Sequence, residues 1–127
     1  MDPTTEMRGF KAAKLTPEMT AELKERARKG RVWSVIATSA AKSGHPGGAL
    51  SSMDIYMTLL ASADVRPEMC DCMERDRIVI SHGHTSAGFY SALAAYGFFR
   101  PEEMYPNFRR TCSPFQGHVE RDVPGVD

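Results

Sequence analysis

The feature that most constrains this chain is a handover. The run DRIVIS (Asp76 to Ser81) passes through His82-Gly83-His84 straight into the helix-forming stretch TSAGFYSALAAYG. Ile78, Val79 and Ile80 are β-branched and contiguous, the pattern of a short strand buried on both faces. The following stretch predicts a helix that begins near Ser86, carries Phe89, Tyr90 and Leu93 on its core face, and stops at Gly97. A strand feeding directly into a helix is the unit of an α/β layer fold, and one strand is too few to complete a sheet.

Two further helices are expected upstream. Thr16-Pro17 is a strong start, with Thr as cap and Pro at the first helical position, where its missing N–H costs nothing. Met19, Leu23 and Ala27 recur at spacing four, and Val32, Val35, Ile36 and Ala40 continue an apolar face to about Lys42. Gly30 falls inside this helix at a cost of about 1 kcal/mol relative to Ala. SGHPGG (Ser43 to Gly48) should end it. A second helix is expected over Ser52 to Ala61, capped by Ser51 with Asp54 as its capping-box partner, and buried because apolar residues nearly encircle it. Residues 1–15 read as an irregular arm, residues 62–75 as a polar connector, Pro101 to Met104 as one helical turn, and the rest from Asn107 as an extended loop. Residues 16–127 are expected to belong to one domain, as its first part.

Composition excludes several classes of function. Sixteen basic residues balance sixteen acidic ones, so no global attraction to nucleic acid or anionic lipid follows. KERARKGR (Lys24 to Arg31) reads as a solvated helix face. No segment is apolar for long enough to cross a bilayer, and residues 1–15 lack the apolar block of a signal peptide. Three cysteines, Cys70, Cys72 and Cys112, are too few and too odd for a secreted disulfide framework, which favours a reducing cytoplasm.

The chemistry gathers at three dipeptides: Gly44-His45, Gly83-His84 and Gly117-His118. Ten glycines and four histidines in 127 residues should give fewer than one such pair by chance. Glycine ahead of a functional side chain permits unusual dihedrals and a close ligand approach. Each pair falls at an expected break in structure. His84 stands beyond a strand end and before a helix start, where α/β proteins bind ligands and where backbone amides receive phosphate. Neutral imidazole both donates and accepts, and its pKa near working pH suits proton traffic on a hydroxyl or carbonyl oxygen. The plainer alternative is three hydrogen-bonded turn or core histidines. A different one is a zinc site built from Cys70, Cys72, His82 and His84, although C-x-C is tighter than the usual ligand spacing.

SGHPGGALS (Ser43 to Ser51), DRIVISHGHTSAGFYSALAAYGFF (Asp76 to Phe99), FQGHVER (Phe115 to Arg121) and PGVD (Pro124 to Asp127) resemble, in this order, the amino-terminal part of the transketolase family. The similarity is closest to bacterial transketolases whose amino-terminal half is a separate chain, and it spans roughly residues 17–127. It implies a thiamine diphosphate-binding fold, a parallel sheet flanked by helices, that is incomplete in this chain. It also implies transfer of a two-carbon ketol unit from a ketose phosphate to an aldose phosphate.

By the same resemblance, His45 and His118 are the expected catalytic and substrate-binding residues. His45 would contact substrate oxygens and assist proton transfer, and His118 would hydrogen-bond the donor hydroxyls. His84 is the expected cofactor-binding residue, near the diphosphate. His82 stands where the family often has Lys or Asn and takes no role, and Val119 replaces a proline common after the third pair. The cofactors implied are thiamine diphosphate and Mg²⁺, with no metal ligand within these residues: the Gly-Asp-Gly and Asn elements that bind the ion, and the glutamate that activates the aminopyrimidine, belong to other parts of the family's proteins. The partners implied are sugar-phosphate substrates and the remainder of the chain or a carboxyl-terminal subunit, in a homo- or hetero-oligomer. These 127 residues alone are expected to be inactive. A non-catalytic paralogue that keeps the fold is the alternative.

Overall fold

A computed structural model describes all residues, 1–127, as a small helical assembly. The helices are α1 (Pro17–Ala41), α2 (Pro46–Ser51), α3 (Met53–Ser62), α4 (Ser86–Ala95) and α5 (Pro101–Met104). Thr16 caps α1 as expected, its hydroxyl oxygen accepting from the Met19 amide at 3.2 Å. Lys42 closes α1 in the left-handed conformation, and its amide returns to the carbonyls of Thr38 and Ser39.

The buried stripe of α1 begins as predicted with Met19, Leu23 and Ala27. It then continues through Gly30, Ser34, Ala37 and Thr38, while Val32, Val35 and Ile36 are exposed. The 3.6-residue period carries small side chains inward because α4 crosses close by. Ser34 donates to the Ser91 hydroxyl at 3.1 Å, and Ser91 donates to the Ala87 carbonyl at 2.7 Å. Larger side chains would hold the two backbones apart. Gly30 is therefore a point of contact rather than a flaw: a β-carbon there would lie 2.6 Å from the Met53 sulfur.

SGHPGG both ends one helix and begins another. Gly44 adopts φ 141°, and a β-carbon on it would meet the Thr38 methyl at 2.7 Å. Pro46 then occupies the first turn of α2, where its fixed φ is favourable. The expected helix over Ser52 to Ala61 is thus preceded by a separate one. Ser51 lies inside α2 and donates to the Gly48 carbonyl, so it caps nothing. Asp54 pairs with Arg31 of α1 instead of completing a capping box. α3 buries Met53, Tyr56, Met57 and Leu60 but leaves Ile55 67% exposed.

DRIVIS does not form a strand. Residues 76–80 form neither helix nor turn and carry no ladder; Ile78 is buried, Ile80 half-buried, and Val79 is 76% exposed. A strand requires a neighbour for its N–H and C=O groups, and none of these 127 residues provides one. The expected parallel sheet is accordingly not seen. The Ile78 amide donates to the Asp127 carboxylate, which Arg75 and Arg77 also hold.

Residues 1–15, expected as an irregular arm, pack against the helices through their first ten residues. Pro3–Phe10 forms two 3-10 turns that bury Thr4 and Met7. Arg8 donates to the carbonyls of Ala63 and Val65, and Asp2 pairs with Arg26 at 2.6 Å. Only α4 is buried along nearly its whole length. Phe89, Tyr90 and Leu93 fill the core as predicted, each worth about 1.5–3 kcal/mol when removed from water. The helix that follows His84 is thus the central post of the molecule.

Candidate active site: a wall of imidazoles

α1, α2, α4 and the 115–120 loop bring the three glycine-preceded histidines to one place. His45 is the residue before α2, and His84 lies in the 3-10 turn Gly83–Thr85 that leads into α4. His118 sits on the loop that passes over α4. The rings of His45 and His84 pack edge to face with centroids 4.6 Å apart, and those of His84 and His118 with centroids 4.3 Å apart. The Nε2 atoms of His84 and His118 are separated by 3.1 Å.

This contact admits one proton between the two nitrogens, one donating and the other accepting. Loss of hydration lowers the pKa of His84, and the neighbouring rings of His118, His45 and His82 and the Arg109 guanidinium lower it further. Each of those neighbours disfavours a positive charge on the ring. His84 is thereby held towards its neutral form, able to donate from one nitrogen and accept at the other.

The supporting hydrogen bonds are short and at least part-buried. The Thr85 hydroxyl donates to the His82 carbonyl at 2.7 Å and receives the hydroxyl of Tyr56 from α3, which fixes the turn that bears His84. On the opposite side, Ser86 donates to the Gly117 carbonyl at 2.8 Å. Tyr90 donates to the His118 carbonyl at 2.8 Å and accepts from the Glu120 amide at 2.9 Å. Burial pushes the Tyr90 phenol up to about 12, so it remains a donor throughout the neutral range. α2 fits against α4 through Gly88, where a β-carbon would lie 2.8 Å from the Ala49 Cα.

Two residues at the site had no place in the expected histidine trio. Arg109, with φ 58°, lays its guanidinium against Gly117, where a β-carbon would be 3.1 Å from its Cζ. An arginine in a turn-rich loop carries no pattern that would single it out. His82, left without a role, lies beside Gly48 and within electrostatic reach of His84. The surface therefore combines four imidazoles with a guanidinium, a set that receives oxygen-rich anionic ligands and handles protons on hydroxyl groups.

The zinc alternative is not built. Cys72 donates to Glu74, His84 faces the other histidines, and no group of three or more His, Cys, Asp or Glu side chains is placed to hold a metal ion.

Residues 22–127 match the family described as transketolase, thiamine diphosphate binding domain. Transketolase 1 of Escherichia coli is 39% identical over 98 residues, covering 76% of this chain and 15% of its own length. Transketolase 1 of Saccharomyces cerevisiae is 36% identical over 97 residues, covering 76% and 14%. Among solved structures, a variant transketolase from Pichia stipitis superposes with a TM-score of 0.73 at 33% identity, covering 83% of this chain and 16% of its own. The same organism's enzyme in complex with sedoheptulose-7-phosphate superposes with a TM-score of 0.68 at 31% identity, over 84% and 16%. The chain thus spans about one-seventh of the length of these relatives. It belongs to the transketolase thiamine diphosphate-binding domain family.

Proposed function

We propose that this chain supplies the diphosphate-side wall of a thiamine diphosphate-dependent ketol transferase acting between sugar phosphates. The observation that carries the proposal is the convergence of His45, His84 and His118. Thiamine diphosphate suits the surface on chemical grounds. A diphosphate is anionic, and the side chains acting on His84 are imidazoles and a guanidinium. Gly47, at the start of α2, opens onto free space that leaves room for a ligand. His84 and the amides at the start of α4 would hold the diphosphate. When bound, the cofactor supplies the electron sink that allows the bond beside a ketose carbonyl to break.

The residues of this chain manage oxygens and protons. His45, at the edge of the trio, is placed to contact substrate oxygens and relay a proton. His118 hydrogen-bonds the donor hydroxyls and is linked to His84 through Nε2. His84, held towards neutrality, accepts or donates without adding a second positive charge. Mg²⁺ and its ligands, the glutamate that activates the aminopyrimidine, and the strands that pair with residues 77–80 into a parallel sheet come from the remainder of the protein or a second subunit. The working form is a homo- or hetero-oligomer in a reducing cytoplasm, consistent with three free cysteines. No helix is long and apolar enough to cross a membrane.

The test is ketol transfer from a ketose phosphate to an aldose phosphate by the natural full-length polypeptide, supplied with thiamine diphosphate and Mg²⁺. Transfer is expected, and His118→Ala and His45→Ala should each lower kcat/KM by about 10²–10⁴-fold. Saturable cofactor binding without transfer would instead support the non-catalytic paralogue. The 127 residues alone should show no transfer.

A further inference from the structure

We infer that Tyr90 is a positioning residue for His118: one buried hydroxyl on α4 grips the loop on both sides of that imidazole and sets its contact with His84. This rests on the proposed role of the histidines, but the geometry stands by itself. The phenol oxygen donates to the carbonyl of His118 and accepts from the amide of Glu120, so it uses its only proton and a lone pair on the same short segment. Ser86, four residues earlier on α4, donates to the carbonyl of Gly117. Residues four apart on a helix share a face, so Ser86 and Tyr90 form one ledge beneath Gly117, His118 and Glu120.

The 3-10 turn that bears His84 runs straight into the same helix through Thr85. α4 therefore anchors the turn of the first ring and grips the backbone of the second. Two imidazoles at 3.1 Å tolerate little drift before their hydrogen bond is lost. Val119 packs against the core between them, but His118 and Glu120 are themselves exposed, so their own side chains add no buried anchor. Tyr90 could have been phenylalanine if the core required only an aromatic ring. Its ring packs on Phe115 at 5.6 Å, a contact that needs no hydroxyl. The oxygen is surplus to packing and is spent on the loop.

The experiment compares Tyr90→Phe with the unmodified protein at its natural full length. Histidine imidazole ¹H–¹⁵N NMR is followed through a pH titration, together with ketol transfer kinetics. In the unmodified protein the Glu120 amide should exchange with solvent more slowly than the neighbouring exposed amides. In Tyr90→Phe the ring that packs on Phe115 remains, so the core should fold. The His84 midpoint should move up towards its ordinary value as His118 drifts away, and kcat/KM should fall by about ten- to a hundredfold. Ser86→Ala, which leaves the His118 carbonyl bonded, should produce a smaller change in the same direction.

A Tyr90→Phe protein that is less stable but keeps the His84 midpoint would overturn the inference by making the hydroxyl merely structural. So would a freely exchanging Glu120 amide in the unmodified protein, whatever the variant does. If ketol transfer is absent altogether, the functional proposal fails, while the imidazole titration and amide exchange still decide the role of Tyr90.

Discussion

Lost hydration lowers the His84 pKa, and three imidazoles and Arg109 push it in the same direction. The unfolded chain has no such neighbours, so its imidazole titrates near the ordinary value of 6.5. Between that value and the lower folded one, the unfolded state binds a proton that the folded state does not. The stabilisation is complete above pH 6.5 and is lost as pH falls through the folded midpoint. Asp127 acts in a lower range. Burial alone would raise its carboxyl, but bonds from Arg75, the Ile78 amide and Arg77 prevail and hold it at about 2. Relative to its ordinary 3.8, that is worth about 2 kcal/mol, present above pH 3.8 and lost as pH falls through about 2. Urea unfolding across pH should therefore show two separate declines. His84→Asn should flatten the one between neutrality and the mildly acid range, and Asp127→Asn should shrink the strongly acid one, to which Asp2 and Asp54 also contribute because their carboxyls are lowered too. A slope unchanged by either substitution would contradict the corresponding assignment.

At the scale of elements, the fit of α2 on α4 decides whether His45 reaches His84. A β-carbon on Gly88 would strike backbone, with the Ala49 Cα at 2.8 Å and its carbonyl oxygen at 2.9 Å, and backbone cannot rotate aside. Gly30 faces the flexible ends of Met53 and Met57. Gly88→Ala should therefore cost about 1–3 kcal/mol and part the two rings. Gly30→Ala should cost less, because movable methionines and a gain of about 1 kcal/mol in helix propensity offset the crowding. Thermal unfolding of both variants checks this, and equal losses would mean that α2 yields as readily as a methionine. The same elements explain what the sequence disclosed. α1 and α4 were legible because Thr16-Pro17, Gly97 and the apolar period are local signals. α2 is not distinct in the sequence because Pro46 reads equally as part of a stop and as a helix start. Val32, Val35 and Ile36 face outwards because the α4 crossing, a tertiary contact, draws in the small residues beside them. The convergence of the histidines was foreseen from their shared Gly-His form, whereas Arg109 and the loop-holding bonds of Tyr90 and Ser86 depend on contacts between distant segments.

Taken as a whole, the molecule is a helical layer with an apolar face uncovered. Val79 and Ile55 are the most exposed of its aliphatic β-branched side chains, and Val79 lies in the strand-like run DRIVIS, which has no ladder. An unpaired edge with an apolar side chain pairs readily with other chains. Sedimentation of the 127-residue chain should show association that grows with concentration, and Val79→Lys should reduce it. Association unaffected by that change would place the contact elsewhere. For this reason the strand signal of DRIVIS could be read in sequence and yet not realised: its pattern describes a neighbour that these residues do not contain.

The position of α4 also orders how the molecule can mature on a ribosome. α1, His45, α2 and α3 emerge first, then His84, then the ledge of Ser86 and Tyr90, and last the segment bearing His118. His118 thus leaves the exit tunnel after the helix that receives it, and this final ring docks onto a template already laid down.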